Sequence, residues 1–381
     1  MPESGRFIAN LAEAWSARGL SIDVVAPTSL SERLKTRRRA PENIDIPGVA
    51  VRYVPTLGTP FARRLPKRLK AWLAARDAAK IAKTLRTGVR PEVIYAQFAA
   101  AGAIARNAGK ALDLPYVVDL GESHPLIGDK DRAQRSNLRE IDDAEVARNR
   151  EVVRDAAGIV CVSPRLRDEA IELGADPARV SLIPNFPNWD RFRPLDKAEC
   201  RRQLGLDPDA FIVIYVGHFM GRKGAPRLNQ ALHKMTNPVQ AAFMGSGALV
   251  PDFPGIIHMG SVTHDLMPVW MNAADVMALP TLAEGCCNVI AEALACALPI
   301  VTSDIEDIRW QVPDRGVVLV DPMNTDAIAA ALDALAADPD RVSAMRADLM
   351  PLAEQDREKN RATEILNWMQ GLLGNAEQAA E

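Results

Sequence analysis

Short apolar runs alternate with amphipathic helical stretches along most of the chain. Ile8–Arg18 has helical periodicity and leads into Ser21–Ala26 (SIDVVA), which reads as a strand. Glu92–Ala96, Tyr116–Leu120 and Gly158–Val162 have the same character, each after helical sequence. The second half adds Phe211–Val216, Ala241–Met244, Ile256–Met259, Val276–Leu279, Ile300–Thr302 and Val317–Val320. Strands separated by helices imply parallel sheets covered on both faces. About ten strands fit two smaller sheets better than one. The natural divide is Ile183–Pro194 (IPNFPNWDRFRP), rich in Pro, Asn and aromatics. The pattern predicts an α/β protein of two Rossmann-like, doubly wound domains. Ligands in such sheets bind beyond the strand C-terminal ends, here in the cleft between the domains. The expected division is residues 1–188, 189–355, and a C-terminal helix over 356–381 that returns to the first domain. The sequence begins at Pro2-Glu3-Ser4-Gly5, already at the turn that ordinarily follows a first strand. That strand is expected to be missing, with a start site assigned too far downstream as the preferred explanation.

Composition changes this picture little. The 381 residues are 48% hydrophobic and 25% charged, which excludes a largely disordered or collagen-like chain. No stretch approaches the ~20 apolar residues of a membrane-spanning helix. The first twenty residues lack the apolar core and cleavage site of a signal peptide. Five cysteines, none spaced C-x-x-C, argue against a disulfide framework or structural zinc and make a reducing cytosol the expected compartment.

Charge is more informative. Residues 1–120 carry 20 Lys/Arg against 10 Asp/Glu, although the whole chain is only −3. Phe61–Arg76 (FARRLPKRLKAWLAAR) places Leu65, Leu69, Trp72 and Leu73 on one helical face, ringed by Arg63, Arg64, Lys67, Arg68 and Lys70. A basic amphipathic helix with Trp is an interfacial membrane signature, and Arg33–Arg39 (RLKTRRR) adds to it. The alternative is an ordinary helix packed on its own sheet. Nucleic acid is not an expected partner, because no recognition motif or stacking platform accompanies the charge.

Candidate chemistry concentrates after the strand Val276–Leu279. Glu284-Gly285-Cys286-Cys287-Asn288-Val289 leads into a helix that contains Glu292. The N–H groups of Cys287, Asn288 and Val289 would open that helix, and a helix N-terminus is a ready anion site. Carboxylates before and inside it could accept from hydroxyls on either side of a bound diphosphate. By spacing alone they read more readily as an acid at a helix start and a surface Glu within it. Gly217-His218-Phe219-Met220-Gly221-Arg222-Lys223-Gly224 follows another strand, where Gly217 permits close approach and Lys223 offers charge to phosphate. Gly245-Ser246-Gly247 and Gly260-Ser261-Val262 end two more. The adjacent Cys286 and Cys287 have no companion His/Cys cluster and read as small residues at the helix entrance.

These elements resemble the retaining, nucleotide-sugar-dependent glycosyltransferases of family four, which have the GT-B fold. The resemblance covers nearly the whole chain and is strongest over Ile212–Asp304, in YVGHFMGRKG, FMGSG, HMGSV and AADVMALPTLAEGCCNVIAEALACALPIV. It implies that Lys223 binds the diphosphate and that Glu284, with the amides after it, holds donor-sugar hydroxyls. Glu292 would bind the ribose, and the Val262 backbone would meet the base. Gly5 would lie in a loop facing the phosphates from the other domain. It also implies an acceptor-binding first domain, a donor-binding second domain, and no metal or other cofactor. The expected activity is metal-independent, retaining hexosyl transfer to a glycan or lipid-linked acceptor in cell-surface polysaccharide synthesis, at the inner face of the plasma membrane.

The chain departs from the family at several points. His218 stands where relatives carry a phosphate arginine, and is counted with Lys223 and Glu284 as catalytic. Tyr95-Ala96-Gln97-Phe98 replaces a His-containing run, and Gln97 can hydrogen-bond a sugar but not exchange protons. Glu122 and His124 are further acceptor-site candidates. Glu306-Asp-Ile-Arg-Trp310 replaces a Gly-Gly-Ile-Pro-Glu loop. Rival expectations are a GT-B sugar-nucleotide epimerase or phosphorylase, and a non-catalytic nucleotide-sugar-binding subunit.

Overall fold

The structure is a computed structural model that describes residues 3–29, 49–56, 67–87, 91–121, 126–127, 140–263, 265–355, 357 and 359–378. Helix α1 (Glu3–Ser16) precedes strands β1 (Ile22–Ser29) and β2 (Val49–Thr56), which pair in parallel, and helix α2 (Lys67–Leu85) follows them. Next come β3 (Ile94–Gln97), α3 (Ala99–Leu112), β4 (Tyr116–Leu120), α4 (Asp143–Asp155), β5 (Gly158–Cys161), α5 (Pro164–Glu172) and β6 (Val180–Leu182). Their strands form a parallel sheet in the order β3-β4-β5-β6. The ends of the helices are written in the sequence. Asp142 caps α4 through the Glu145 N–H, and Ser163 caps α5 through the Leu166 N–H, with Pro164 inside the first turn.

The second half runs α6 (Lys197–Leu204), β7 (Ile212–Val216), α7 (Ala225–Leu232), β8 (Gln240–Met244), β9 (Ile256–Gly260), α8 (Met267–Ala273), β10 (Val276–Leu279), α9 (Asn288–Ala295) and β11 (Ile300–Ser303). It continues through α10 (Glu306–Arg309), β12 (Val317–Val320), α11 (Thr325–Ala336) and α12 (Pro339–Glu354). All six strands are parallel, in the order β12-β11-β10-β7-β8-β9. Ile212, Ile214, Met277 and Leu279 on one face and Val213, Tyr215, Val276 and Ala278 on the other are all buried, as a sheet covered by helices requires.

Two Rossmann-like domains are therefore present, with two differences from the sequence expectation. Strands β2 and β6 are additional to the expected ones. β6 is three residues long at a sheet edge, too short to show a period. β2 is mostly half-buried, with only Val54 and Thr56 buried, and shows no clear apolar alternation. The first-domain sheet is also in two pieces: β1 and β3 are not hydrogen-bonded to each other. They nevertheless share two apolar clusters. Trp15 of α1 packs with Ile22 and Tyr95, while Val25 and Ile94 pack with Val54 and Ile81.

The last helix, α13 (Arg361–Gln378), packs on α1 and β5. The Trp15 indole N–H donates to the Ala362 carbonyl at 2.7 Å, and Arg361 donates to the buried Asp119 of β4 at 2.6 Å. Asp119 also accepts from the Tyr95 hydroxyl at 2.5 Å. Burial first, and Asp119 second, hold that phenol well above its ordinary range. Trp189, in the segment joining the two sheets, donates to the Lys359 carbonyl at 3.0 Å. No helix among the described residues is long and apolar enough to cross a membrane.

Candidate donor site at the β7/β10 crevice

The strand order of the second sheet reverses at β7, whose neighbours are β8 on one side and β10 on the other. Chain leaving β7 and β10 therefore diverges to opposite faces and opens a crevice at the strand C-terminal ends. Both loops singled out in the sequence lie there. They touch backbone to backbone: Gly224 has φ +90°, and a Cβ on it would lie 2.2 Å from the Pro280 carbonyl oxygen. Gly245 has φ +153°, and a Cβ there would lie 2.0 Å from the Gly217 carbonyl oxygen. Only glycine fits these positions.

At the crevice Lys223 Nζ donates to both carboxylate oxygens of Glu284 at 2.8 Å. Glu284 is 4% exposed. Its Oε1 also accepts from Thr281 Oγ1 at 2.8 Å, and its backbone N–H donates to Asp307 Oδ2 at 2.9 Å. Burial pulls the Lys223 ammonium down, but the Glu284 carboxylate more than offsets it, so lysine stands above its ordinary value. Arg222 donates to the Ala283 carbonyl at 2.8 Å, and Arg227 donates to the Gly221 and Pro280 carbonyls at 2.7 and 2.6 Å. Burial holds the Arg227 guanidinium below its ordinary value.

Helix α9 begins beside this pair. Cys287 is its N-cap and supplies no side-chain cap. The Cys287 N–H donates to Gln311 Oε1 at 2.9 Å, and Gln311 returns a bond to the Cys287 carbonyl at 2.7 Å. The Asn185 N–H, from the segment joining the two sheets, donates to Cys286 Sγ at 3.3 Å. Burial pushes the Cys286 thiol up to about 11 and the Cys287 thiol up to about 12, so both are protonated at neutral pH. The pair is packed, in keeping with small residues at a helix entrance rather than reactive thiols. Gly285 is buried, Asn288 exposed and Val289 half-buried; Glu292 is half-buried in the second turn of α9.

The remaining predicted residues are spread more widely. His218 is exposed, and its carbonyl accepts from the Tyr215 hydroxyl at 2.9 Å. Val262 is half-buried just after β9. Gly5 lies in the first turn of α1, not in a loop before it. Gln97 ends β3, and its Oε1 is buried without a partner among the described residues. The next residue, Phe98, has φ 72° and donates its N–H to the Asp119 carbonyl at 2.7 Å. A non-glycine residue at positive φ is strained, and such strain gathers at ligand sites. Glu122, His124, Arg33–Arg39, Arg63, Arg64 and Leu65 lie outside the described residues. Lys67, Arg68 and Lys70 fall in α2. Leu69 and Trp72 on that helix are 40% and 58% exposed, which sets them apart from a packed apolar stripe.

Sequence reading missed Thr281 and Gln311; it singled out the segments that hold Arg222 and Asp307 but not the bonds these two make. Thr281 was legible as a hydroxyl three residues before Glu284. The bonds of Asp307 and Gln311 carried no local signal, because their partners are 23 and 24 residues away. No group of three or more His, Cys, Asp or Glu side chains that could hold a metal occurs among the described residues.

Two parallel α/β domains, with a crevice at the switch point of the second, define the GT-B class of glycosyltransferases. Residues 4–185 match the model of the glycosyl transferase 4-like domain, and residues 210–338 match that of glycosyl transferases group 1. The chain belongs to the family-four type of glycosyltransferases. It is 26% identical over 340 residues to a Bacillus subtilis (strain 168) protein named for teichuronic acid biosynthesis, the glycosyltransferase TuaC; the match spans 87% of this chain and 84% of that one. It is 28% identical over 372 residues to the D-inositol 3-phosphate glycosyltransferase of Geodermatophilus obscurus, spanning 89% and 78%. Among solved structures, sucrose-phosphate synthase from Thermosynechococcus elongatus superposes with a TM-score of 0.73 at 21% identity, covering 99% of this chain and 94% of that one. Anabaena HepE in complex with UDP and glucose superposes with a TM-score of 0.70 at 16% identity, covering 96% and 95%.

Proposed function

We propose that this glycosyltransferase moves a hexosyl group from a nucleoside diphosphate sugar, with retention of configuration, to a glycan or lipid-linked acceptor in cell-surface polysaccharide synthesis. The observation that carries this reading is the Lys223–Glu284 pair beside the α9 N-terminus at the β7/β10 crevice. An ammonium has three N–H donors, and Glu284 engages two of them through its two oxygens. The third donor, with the helix N-terminus, would stabilise charge on the leaving diphosphate. Glu284 would hold sugar hydroxyls, Glu292 the ribose, and the Val262 backbone the base. Preorganised charge at the leaving group is the main source of rate, without a metal. Retention without an enzymic nucleophile means that the acceptor attacks on the face the diphosphate leaves. The basic first domain, residues 1–188, would take the acceptor at an anionic membrane surface on the cytoplasmic side, and residues 189–355 would take the donor.

Thermal unfolding with UDP-, GDP-, ADP- and dTDP-sugars tests the donor site. A nucleotide present at 100 times its Kd stabilises by about 2.7 kcal/mol, a shift of several degrees. UDP-glucose is the first candidate, because HepE is described in complex with UDP and glucose. No shift with any of the four would remove the basis of this reading.

A further inference from the structure

The N–H of Glu284 is not held by its own domain alone. Its acceptor, Asp307 Oδ2, belongs to α10, and the other oxygen of that carboxylate, Oδ1, takes the Nε–H of Arg165 from α5 of the first domain at 3.3 Å. Arg165 also donates to Glu169 Oε1 at 2.5 Å, one turn further along α5. The second oxygen of Glu169 accepts the backbone N–H of Leu126 at 2.5 Å, in the segment that follows β4. The Leu126 carbonyl is held in turn by the Asn149 amide of α4 at 2.9 Å. The result is one unbroken chain of hydrogen bonds: Leu126, Glu169, Arg165, Asp307, Glu284.

This chain is buried throughout. The side chains of Arg165, Glu169 and Asp307 are 10%, 10% and 4% exposed. Water therefore neither screens the charges nor replaces a lost partner cheaply. The arrangement is also directional. Each carboxylate turns one oxygen to Arg165 and the other to a backbone N–H, one in each domain. Moving α5 away from α10 would take the shared cation from Asp307. The buried carboxylate that holds the Glu284 N–H would then lose the charge that Arg165 sets against it.

We propose that Arg165 is a positioning residue that ties the Glu284 loop to the first domain through Asp307. The loop then has its working geometry only when the two domains are apposed. A nucleotide sugar that requires Glu284 in place would favour the apposed state, and opening of the cleft would loosen the loop and ease product departure. The inference rests on the proposed function only in calling this the donor loop.

Hydrogen exchange of the nucleotide-free protein tests it, reading the Glu284 amide from overlapping peptides across residues 282–288. Arg165→Gln should speed exchange there at least tenfold, with β10 and β4 as protected as in wild type. Arg165→Lys, which keeps the charge but not the fork geometry, should fall between the two. Asp307→Ala should speed the same amide, and Arg165→Gln should add nothing in that background, because residues acting through one partner are not additive. An unchanged Glu284 amide in Arg165→Gln, or full additivity in the double variant, overturns the proposal. If Arg165→Gln does not fold, Arg165→Lys is compared with wild type, and an unchanged amide there overturns it equally. No nucleotide is present, so failure of the donor-site reading would show in the thermal-shift panel and leave this result intact.

Discussion

Lys223 and Glu284 illustrate how much one pair of side chains is asked to do. The carboxylate is buried with the Lys223 cation on it, so losing that cation has two effects at once. Lys223→Ala should lower donor turnover by two to three orders of magnitude, roughly 2.7–4 kcal/mol, by analogy with removing one preorganised electrostatic donor. It should also lower Tm, because the buried Glu284 carboxylate loses its counter-charge; steady-state rates and thermal unfolding measured together separate the two. The lysine's folded value lies above its ordinary 10.5. Its contribution to stability is then fully present below the unfolded value and is lost only as pH rises through the folded one. Donor affinity should consequently be flat between about pH 7 and 9 as far as Lys223 is concerned. The two glutamates should divide their work. Glu292→Ala weakens binding of the nucleoside diphosphate itself, and Glu284→Ala acts mainly on the sugar part, each by about 1.5–3 kcal/mol. Calorimetric titration of both variants with diphosphate and with full donor checks this, and equal losses on both ligands would refute it.

Among the elements, α2 departs most clearly from ordinary packing. Ala78, Ile81, Ala82 and Leu85 in its later turns are buried, whereas Leu69 and Trp72 near its start face outward. Arg76 lies 6.0 Å from the Trp72 ring centre, so the exposed indole already carries a basic neighbour. An exposed Trp beside basic sequence fits insertion at an anionic interface, where each Lys or Arg adds about 1 kcal/mol that salt screens. The protein should sediment with anionic vesicles at low salt and release as salt is raised. Leu69→Ser with Trp72→Ser, or Arg63, Arg64, Lys67 and Arg68 all to Ser, should abolish sedimentation and leave nucleotide binding unchanged. Wild type that stays in the supernatant at low salt would remove the interfacial role from this helix. The element scale is also where sequence reading did best. Tyr116–Leu120, Val276–Leu279 and Val317–Val320 have the expected bounds, because each is an apolar run, broken only by Asp119 in the first, and closed by turn residues.

For the molecule as a whole, the deciding matter is what neutralises the diphosphate. Lys223 and Arg222 follow β7 and the α9 N-terminus follows β10, so fixed charge comes to the crevice from both loops, and Asp307, the acid bonded to the Glu284 loop, is already engaged by Arg165 and a backbone N–H. Donor turnover should survive EDTA; full loss restored by Mg²⁺ or Mn²⁺ would point instead to Glu306 and Asp307 as ligands. The sequence by itself determined the two α/β domains and the glycine turns, through the period of apolar residues and the places that need a residue without a Cβ; it offered Lys223, Glu284 and Glu292 only through the family resemblance. Only the tertiary structure decided that the first sheet is in two pieces, that Gly5 is helical, and that Trp72 is exposed. It alone joined Arg165 to Asp307 across 142 residues of chain. Local pattern specifies what a segment becomes, whereas a bond between distant side chains depends on how whole domains are brought together.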